Sequence, residues 1–301
     1  MPEVSVIMNC YNSATYLRQA IDSVYAQTFK DWEIIFWDNV STDSSPEIAK
    51  SYGEKLRYFR GEENVPLYAA RNLAIRKAEG KFITVLDCDD FWYPEKLELQ
   101  VQVFKEHTDA VFAYSNVHVL ESSGKKRVLH SRLQPHGTVF GQLVRDYRVN
   151  LQSVMIARSA MDGLDYYFDD SMQYAGDMDL LLRLAFEGKV LYNPEITTCY
   201  REHSGSLSAD RIELLAGENN KIINRFAAKY PDFNDRYARE IVKYRNKTLL
   251  SIVVAKWKYS GGRSIRQYLK NQRPITAWSI LLFAFSFIPY RVAAFIKYRI
   301  A

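Results

Sequence analysis

An α/β fold with a mostly parallel sheet and helices on both faces is the architecture this chain predicts, on three observations. Short apolar, β-branched runs alternate with amphipathic helical segments through the first hundred positions. Those runs are apolar almost throughout, as strands covered on both faces require. Polar or acidic residues stand where the runs stop, at Asn9, Asp38 and Asp87, and in such sheets ligands bind at the C-terminal ends of strands.

The elements follow in order. "VSVIMN" (4–9) reads as a buried strand, "ATYLRQAIDSVYAQ" (14–27) as an amphipathic helix and "WEIIFWD" (32–38) as a second buried strand. "STDSSPEIAKSY" (41–52) opens a helix with capping residues and Pro46, "LRYFRG" (56–61) is a short strand, and "LYAARNLAIRKAEG" (67–80) is a helix closing on Gly80. "KFITVLD" (81–87) is the fourth strand, and "YPEKLELQVQVF" (93–104) the helix after it. From about 109 to 200 the pattern is mixed, with strands "AVFAYSNVHVL" and "SVMIAR", a loop-rich middle, and the helix "DMDLLLRLAFEG" ending in Gly188. Residues 209–248 read as helical.

With 301 residues, 48% hydrophobic and 14% aromatic, the chain suffices for one large core, or a core with an appendage. Cys10, Cys88 and Cys199 are odd in number and lack metal-type spacing, so reduced thiols in a cytoplasmic setting are expected. No secretory signal is visible, since Pro2 and Glu3 replace a basic start and "VSVIM" is short. The net charge of +5 conceals a contrast: residues 1–205 carry −7 and residues 206–301 carry +12, with 12 Lys/Arg and no acid beyond Glu240.

No G-x-G-x-x-G follows a strand and no Walker loop occurs, which removes the main support for the common dinucleotide and nucleoside-triphosphate sites. The chemistry resides in acids. "DCDD", with Asp87, Asp89 and Asp90, is either a turn capping the next helix or a cluster held for a divalent cation that offsets its repulsion. Asp38 starts an Asx-turn, or accepts a base N–H as a carboxylate with no cation beside it. Arg71 is a solvated helical arginine or a fork for an anion. Asp177, at a helix start, is a cap or a base kept ionised by the helix dipole. His203 is a polar loop residue or a neutral nitrogen ligand in a site of oxygens.

Taken together, "VSVIMNCYNSATYLRQAIDSVYAQTFKDWEIIFWDNVSTDSS", "NVPLYAARNLAIRKAEGKFITVLDCDD", "YAGDMDLLLRLAFEG" and "YREHSGSLS" resemble, in order and distance, the family 2 glycosyltransferases. The resemblance covers about the first 207 residues. It implies the GT-A fold, a Rossmann-like mixed, mostly parallel sheet flanked by helices, and an inverting, metal-dependent sugar transfer of the bacterial polysaccharide type. By resemblance, Asp87 and Asp89 are the acids of a D-x-D motif, the first near the ribose and the second on Mn²⁺ or Mg²⁺ bridging the diphosphate. Asp38 binds the nucleobase, the Cys10, Tyr11 and Asn12 segment lines its pocket, Arg71 and Cys88 lie at the nucleotide, His203 completes the metal or diphosphate site, and Asp177 is the catalytic base. Three positions depart from the family pattern: Gly176 where a glutamate is common, Asn39 for a second acid, and Val40 for a small residue. Asn150, Gln152 and Ser153 are assigned to the donor sugar or acceptor.

These readings divide the chain into a catalytic domain over 1–206, with a nucleotide half (1–108) and an acceptor half (109–206), and a helical region over 207–301. The uncharged stretch 274–290 is short for a spanning helix and is interrupted by Pro289, so 241–301 is expected to lie in the membrane interface, with Lys/Arg toward anionic lipid. A helical appendage packed on protein has the same apolar periodicity. The expected partners are a nucleotide sugar, UDP-linked in the commonest case, a polyprenyl-diphosphate-linked or other glycan acceptor, and the inner face of the cell membrane. Nucleic acid is disfavoured because the arginines interleave with aliphatic runs. A sugar nucleotidyltransferase or a membrane-docked nucleotide-sugar-binding protein without turnover are the rival readings.

Overall fold

The computed structural model describes residues 1–202, 212–270, 280, 282–284 and 286–287. Its first half alternates β1 (Val4–Cys10), α1 (Ala14–Tyr25), β2 (Trp32–Asp38), α2 (Ser45–Lys50), β3 (Leu56–Arg60), α3 (Leu67–Ile75) and β4 (Phe82–Val85). There follow β5 (Phe91–Trp92), α4 (Lys96–Glu106), β6 (Ala110–Leu120), β7 (Lys126–Val128), α5 (Phe140–Arg145), a 3₁₀ turn at Leu151–Ser153 and β8 (Met155–Ala157). Then come α6 (Arg158–Met161), α7 (Gly176–Glu187), β9 (Lys189–Arg201), α8 (Ile212–Lys229), α9 (Phe233–Arg236) and α10 (Ala238–Lys270).

The sheet runs β3-β2-β1-β4-β8-β6-β9-β5, with β7 added to β6. Strands β1 to β4 are mutually parallel, and β8 is antiparallel to both β4 and β6, so the sheet is mixed. Chain order reverses at β1: β2 and β3 extend one way and β4 lies on the other side. This switch point opens a crevice at the C-terminal ends of β1 and β4.

Burial explains the apolar runs. All seven residues of β2 are buried, including Glu33, whose carboxylate accepts from Ser5 Oγ at 2.6 Å, Arg57 at 2.7 Å and the Glu79 N–H at 2.8 Å. A buried acid is tolerated only when its charge is paired and hydrogen-bonded in this way. Gly80 is required because the link from α3 to β4 crosses β1 closely: an added Cβ would lie 2.5 Å from the Ser5 nitrogen.

The chain forms two compact units, 1–143 with 147–209, and 144–146 with 210–301. The described residues of the second from 212 to 270 form α8, α9 and α10 with short links. Pro231 follows α8 and breaks the single helical stretch expected over 209–248, since proline lacks an N–H and disfavours helix before it. Phe226 stacks on Phe233 at 5.4 Å, with Ile222, Ile223, Ile241 and Tyr244 buried around them. Among the described residues, no helix is long and apolar enough to cross a membrane.

Candidate active site

The crevice is framed by the loops that leave β1 and β2. Asn12, at φ 50°, accepts from Thr42 N at 2.8 Å, while its own N–H donates to Ser41 Oγ at 3.0 Å. Asp43 accepts from the Ala14 and Ser45 N–H groups at 3.0 Å each, so the two loops are held as one wall. Tyr11 stands out from it, 54% exposed. Val40 has φ 66°, a left-handed conformation that a β-branched residue adopts only under strain.

Asp38 ends β2 with its carboxylate fully enclosed. It accepts from Ser41 N at 2.8 Å, Tyr58 Oη at 2.6 Å and Arg60 Nη1 at 2.5 Å. The expectation of a carboxylate with no cation beside it therefore fails: β3 runs parallel to β2 in a register that sets Arg60 opposite Asp38.

Across the crevice, Asp87 is clamped from two sides. Arg71, almost fully buried in α3, donates to Oδ1 at 2.5 Å, and Gln152 Nε2 donates to Oδ2 at 2.5 Å, while Gln152 Oε1 accepts the Asp87 N–H at 2.7 Å. Arg71 is thus neither solvated nor aimed at open space. Gln152, expected to face the sugar or acceptor, spends both ends of its amide on Asp87. Ser153 is buried and donates to Asn150 O at 2.7 Å, and the Asn150 side chain caps the 3₁₀ turn through Gln152 N at 3.0 Å.

Within "DCDD" the acids have different surroundings. Asp90 points inward and accepts the Arg201 N–H at 2.8 Å; burial, then the charges of Asp89 and Asp87, hold its carboxyl well above the usual carboxylate range. Asp89 is partly exposed, and its carbonyl accepts from Arg201 Nε at 2.9 Å. Arg201 also stacks on Tyr16 at 4.1 Å, placing a cation at this turn that sequence reasoning did not single out. Cys88 Sγ donates to Asn9 O at 3.2 Å, and its thiol brings the neighbouring Cys10 thiol down to about 7, against burial. His203 lies outside the described residues, and among those described no group of three or more His, Cys, Asp and Glu could hold a metal. Asp87 is clamped at both oxygens and Asp90 is turned inward, which leaves Asp89 as the carboxylate of this turn that a hard dication would use, with phosphate and water filling its other positions.

Asp177 opens α7. Burial raises its carboxyl pKa, chiefly opposed by the Arg71 guanidinium, with Asp87 adding to the rise. Tyr147 Oη approaches it at 3.5 Å. Asp179, two residues on, instead pairs with Arg183 at 2.9 Å along the same helix, a structural contact. Asp38 and Asp87 thus stand at or just past the C-terminal ends of β2 and β4, on either side of β1, and Arg71 links Asp87 electrostatically to Asp177.

The family model described as Glycosyl transferase family 2 matches residues 5–157. An uncharacterized glycosyltransferase of Rickettsia typhi is 30% identical over 227 residues, covering 71% of this chain and 68% of that protein. The Escherichia coli WfaP, a UDP-Glc:alpha-D-GlcNAc-diphosphoundecaprenol beta-1,3-glucosyltransferase, is 28% identical over 73% of this chain and 85% of its own. The crystal structure of Staphylococcus aureus TarS 1–349 in complex with UDP superposes with a TM-score of 0.68 at 18% identity, covering 97% of this chain and 82% of that one, a likeness of fold.

Proposed function

The chain belongs to glycosyl transferase family 2, and from this we propose that it is an inverting transferase moving a sugar from a UDP-sugar to a hydroxyl of a lipid-linked glycan acceptor. The observation that carries the reading is the Arg71–Asp87 pair at 2.5 Å, with Asp177 in the field of the same guanidinium. One buried cation thereby connects an acid at the donor crevice to a carboxylate suited to take a proton.

In this reading the Cys10–Asn12 wall receives the nucleobase, with Asp38 bracing the loop behind it through Ser41, and Asp87, fixed by Arg71 and Gln152, meets the ribose. Asp89, with His203, would hold Mn²⁺ or Mg²⁺, which when bound offsets the charge developing on the diphosphate leaving group. Asp177 takes the proton of the acceptor hydroxyl as that oxygen attacks the anomeric carbon opposite the diphosphate, so configuration inverts in one displacement. Burial raises the proton affinity of Asp177, and the Arg71 guanidinium opposes that rise.

The lipid-linked acceptor is supported by the diphosphoundecaprenol substrate in WfaP's name and by the acid-free segment after Glu240, which suits an anionic membrane surface. The test is transfer from UDP-sugars to a polyprenyl-diphosphate-linked sugar, with and without Mn²⁺. Parent protein should turn over, and Asp177→Asn should bind donor equally while losing about 10²- to 10⁴-fold in rate. A parent that binds UDP-sugar but transfers to no hydroxyl acceptor would sink the enzymatic reading.

A further inference from the structure

Gln152 grips Asp87 at two points, one on its main chain and one on its side chain. Oε1 accepts the Asp87 backbone N–H at 2.7 Å, and Nε2 donates to the carboxylate Oδ2 at 2.5 Å. A backbone N–H can only donate, so it fixes which end of the amide faces it and leaves the NH₂ end for the carboxylate. One side chain thereby ties the carboxylate to its own main chain and sets its rotation about the Cα–Cβ bond. The grip is itself braced. The Gln152 carbonyl accepts from Trp92 Nε1 at 2.9 Å and Thr198 Oγ1 at 3.2 Å, and its N–H donates to Asn150 Oδ1 at 3.0 Å.

What the grip opposes is Arg71. That guanidinium reaches Asp87 Oδ1 through Nη2 at 2.5 Å, but its Nε is buried with no hydrogen-bond partner among the described residues. A buried unpaired donor on a cation is costly, and a carboxylate that presents both oxygens to an arginine fork removes the cost. A free Asp87 would therefore rotate to offer Oδ2 to Arg71 as well, and Gln152 holds Oδ2 back. In the observed rotamer the Asp87 side chain stays 34% exposed, whereas Arg71 and Gln152 are each 4% exposed. Of the three, Asp87 has the surface to meet a ligand. A carboxylate has about four lone-pair sites, so the bonds from Arg71 and Gln152 leave acceptor capacity on it.

We propose that Gln152 is a positioning residue for the nucleotide: by holding Oδ2 away from Arg71 it keeps the Asp87 carboxylate turned to the ribose hydroxyls of the donor. The proposal rests on Asp87 meeting the ribose. Gln152→Met keeps the length of the side chain and removes both polar ends. Calorimetric titration of that variant with UDP in Mn²⁺ buffer should show binding weaker than the parent's by about tenfold or more, the loss expected when a hydrogen bond to a charged group is removed. With 2′,3′-dideoxy-UDP, which lacks the ribose hydroxyls, variant and parent should bind alike. Should Gln152→Met not fold, Gln152→Glu keeps the acceptor for the Asp87 N–H, replaces only the donor end, and should show the same selective loss. An equal loss for UDP and its dideoxy analogue would mean that Gln152 supports the crevice at large, and would overturn the proposal. So would parent-like UDP binding, with or without a raised acceptor KM. Failure of the underlying reading looks different: the parent itself would then bind UDP no tighter than the dideoxy analogue, and the proposal would go with it.

Discussion

Asp177 and Val40 are two residues held in surroundings that cost stability. Burial raises the Asp177 carboxyl above its ordinary 3.8, so the ionised form destabilises the fold. The sign follows from linkage: a carboxyl with a raised folded pKa contributes fully below 3.8 and loses that contribution as pH rises through the folded value. Asp177→Asn should therefore melt above the parent near neutrality, with the gap closing in acid; thermal melts across pH measure it, and a variant that melts lower at neutral pH contradicts the argument. Val40 poses a backbone version of the same trade. Its φ of 66° costs a side chain with a branched Cβ about 1–2 kcal/mol, and glycine's extra freedom in the unfolded chain returns about 0.4–1 kcal/mol of any gain. Val40→Gly should raise the urea midpoint at an unchanged slope, by about 0.5–1 kcal/mol. An equal or lower midpoint would show that the left-handed conformation stores no strain. The acids at the strand ends were legible one by one, because polar residues closing apolar runs are conspicuous. Their partners were not: Gln152 reaches Asp87 across 65 positions and Arg60 reaches Asp38 across 22, contacts that exist only once strands pair.

At the scale of elements, α4 supports the 3₁₀ turn that holds Gln152. Lys96 is fully buried without a carboxylate partner: Nζ donates to Gln100 Oε1 at 2.6 Å and Thr84 Oγ1 at 3.0 Å, and lies 4.1 Å from the centre of the Trp92 ring. Gln100 Nε2 then holds Ser153 O at 2.7 Å and Trp92 Nε1 holds Gln152 O at 2.9 Å, both on that turn. Desolvation pushes the Lys96 pKa well below its ordinary 10.5, so between the two values the unfolded chain binds more protons and stability rises with pH. Lys96→Met, similar in length, should flatten that alkaline rise relative to the parent, and should cost about 1–3 kcal/mol at pH 10.5, where the parent amine is neutral, through the unpaired Gln100 oxygen. Identical pH slopes in parent and variant would refute the buried-amine account. Strands β1, β2 and β4 were readable because each is covered on both faces, whereas β3 is half-buried at the sheet edge. Strand β9 was missed: Pro194 and the polar "NPE" interrupt its pattern, and its register against β6 shifts between Ser115 and Val117. Two-residue β5 and exposed β7 are too short or too polar to announce themselves.

Over the whole molecule, charge separates the chain's two ends, and the basic end leads to a further prediction. Lys243, Arg245, Arg263 and Lys270 are exposed on α10. Replacing all four by Gln should weaken co-sedimentation with anionic vesicles roughly 10³-fold, at about 1 kcal/mol for each basic residue near the surface, and should lessen its dependence on salt. Unchanged sedimentation would end the membrane-surface reading. The amino-acid order alone determined the α/β class, the family and the acids on which the chemistry is proposed to rest, because buried strands impose local apolar runs and a sheet's ligand site must lie where those runs end. Which of those acids are clamped, enclosed or turned inward was decided by the tertiary structure. Those outcomes depend on strand register and on side chains arriving from distant elements, and no local pattern encodes either.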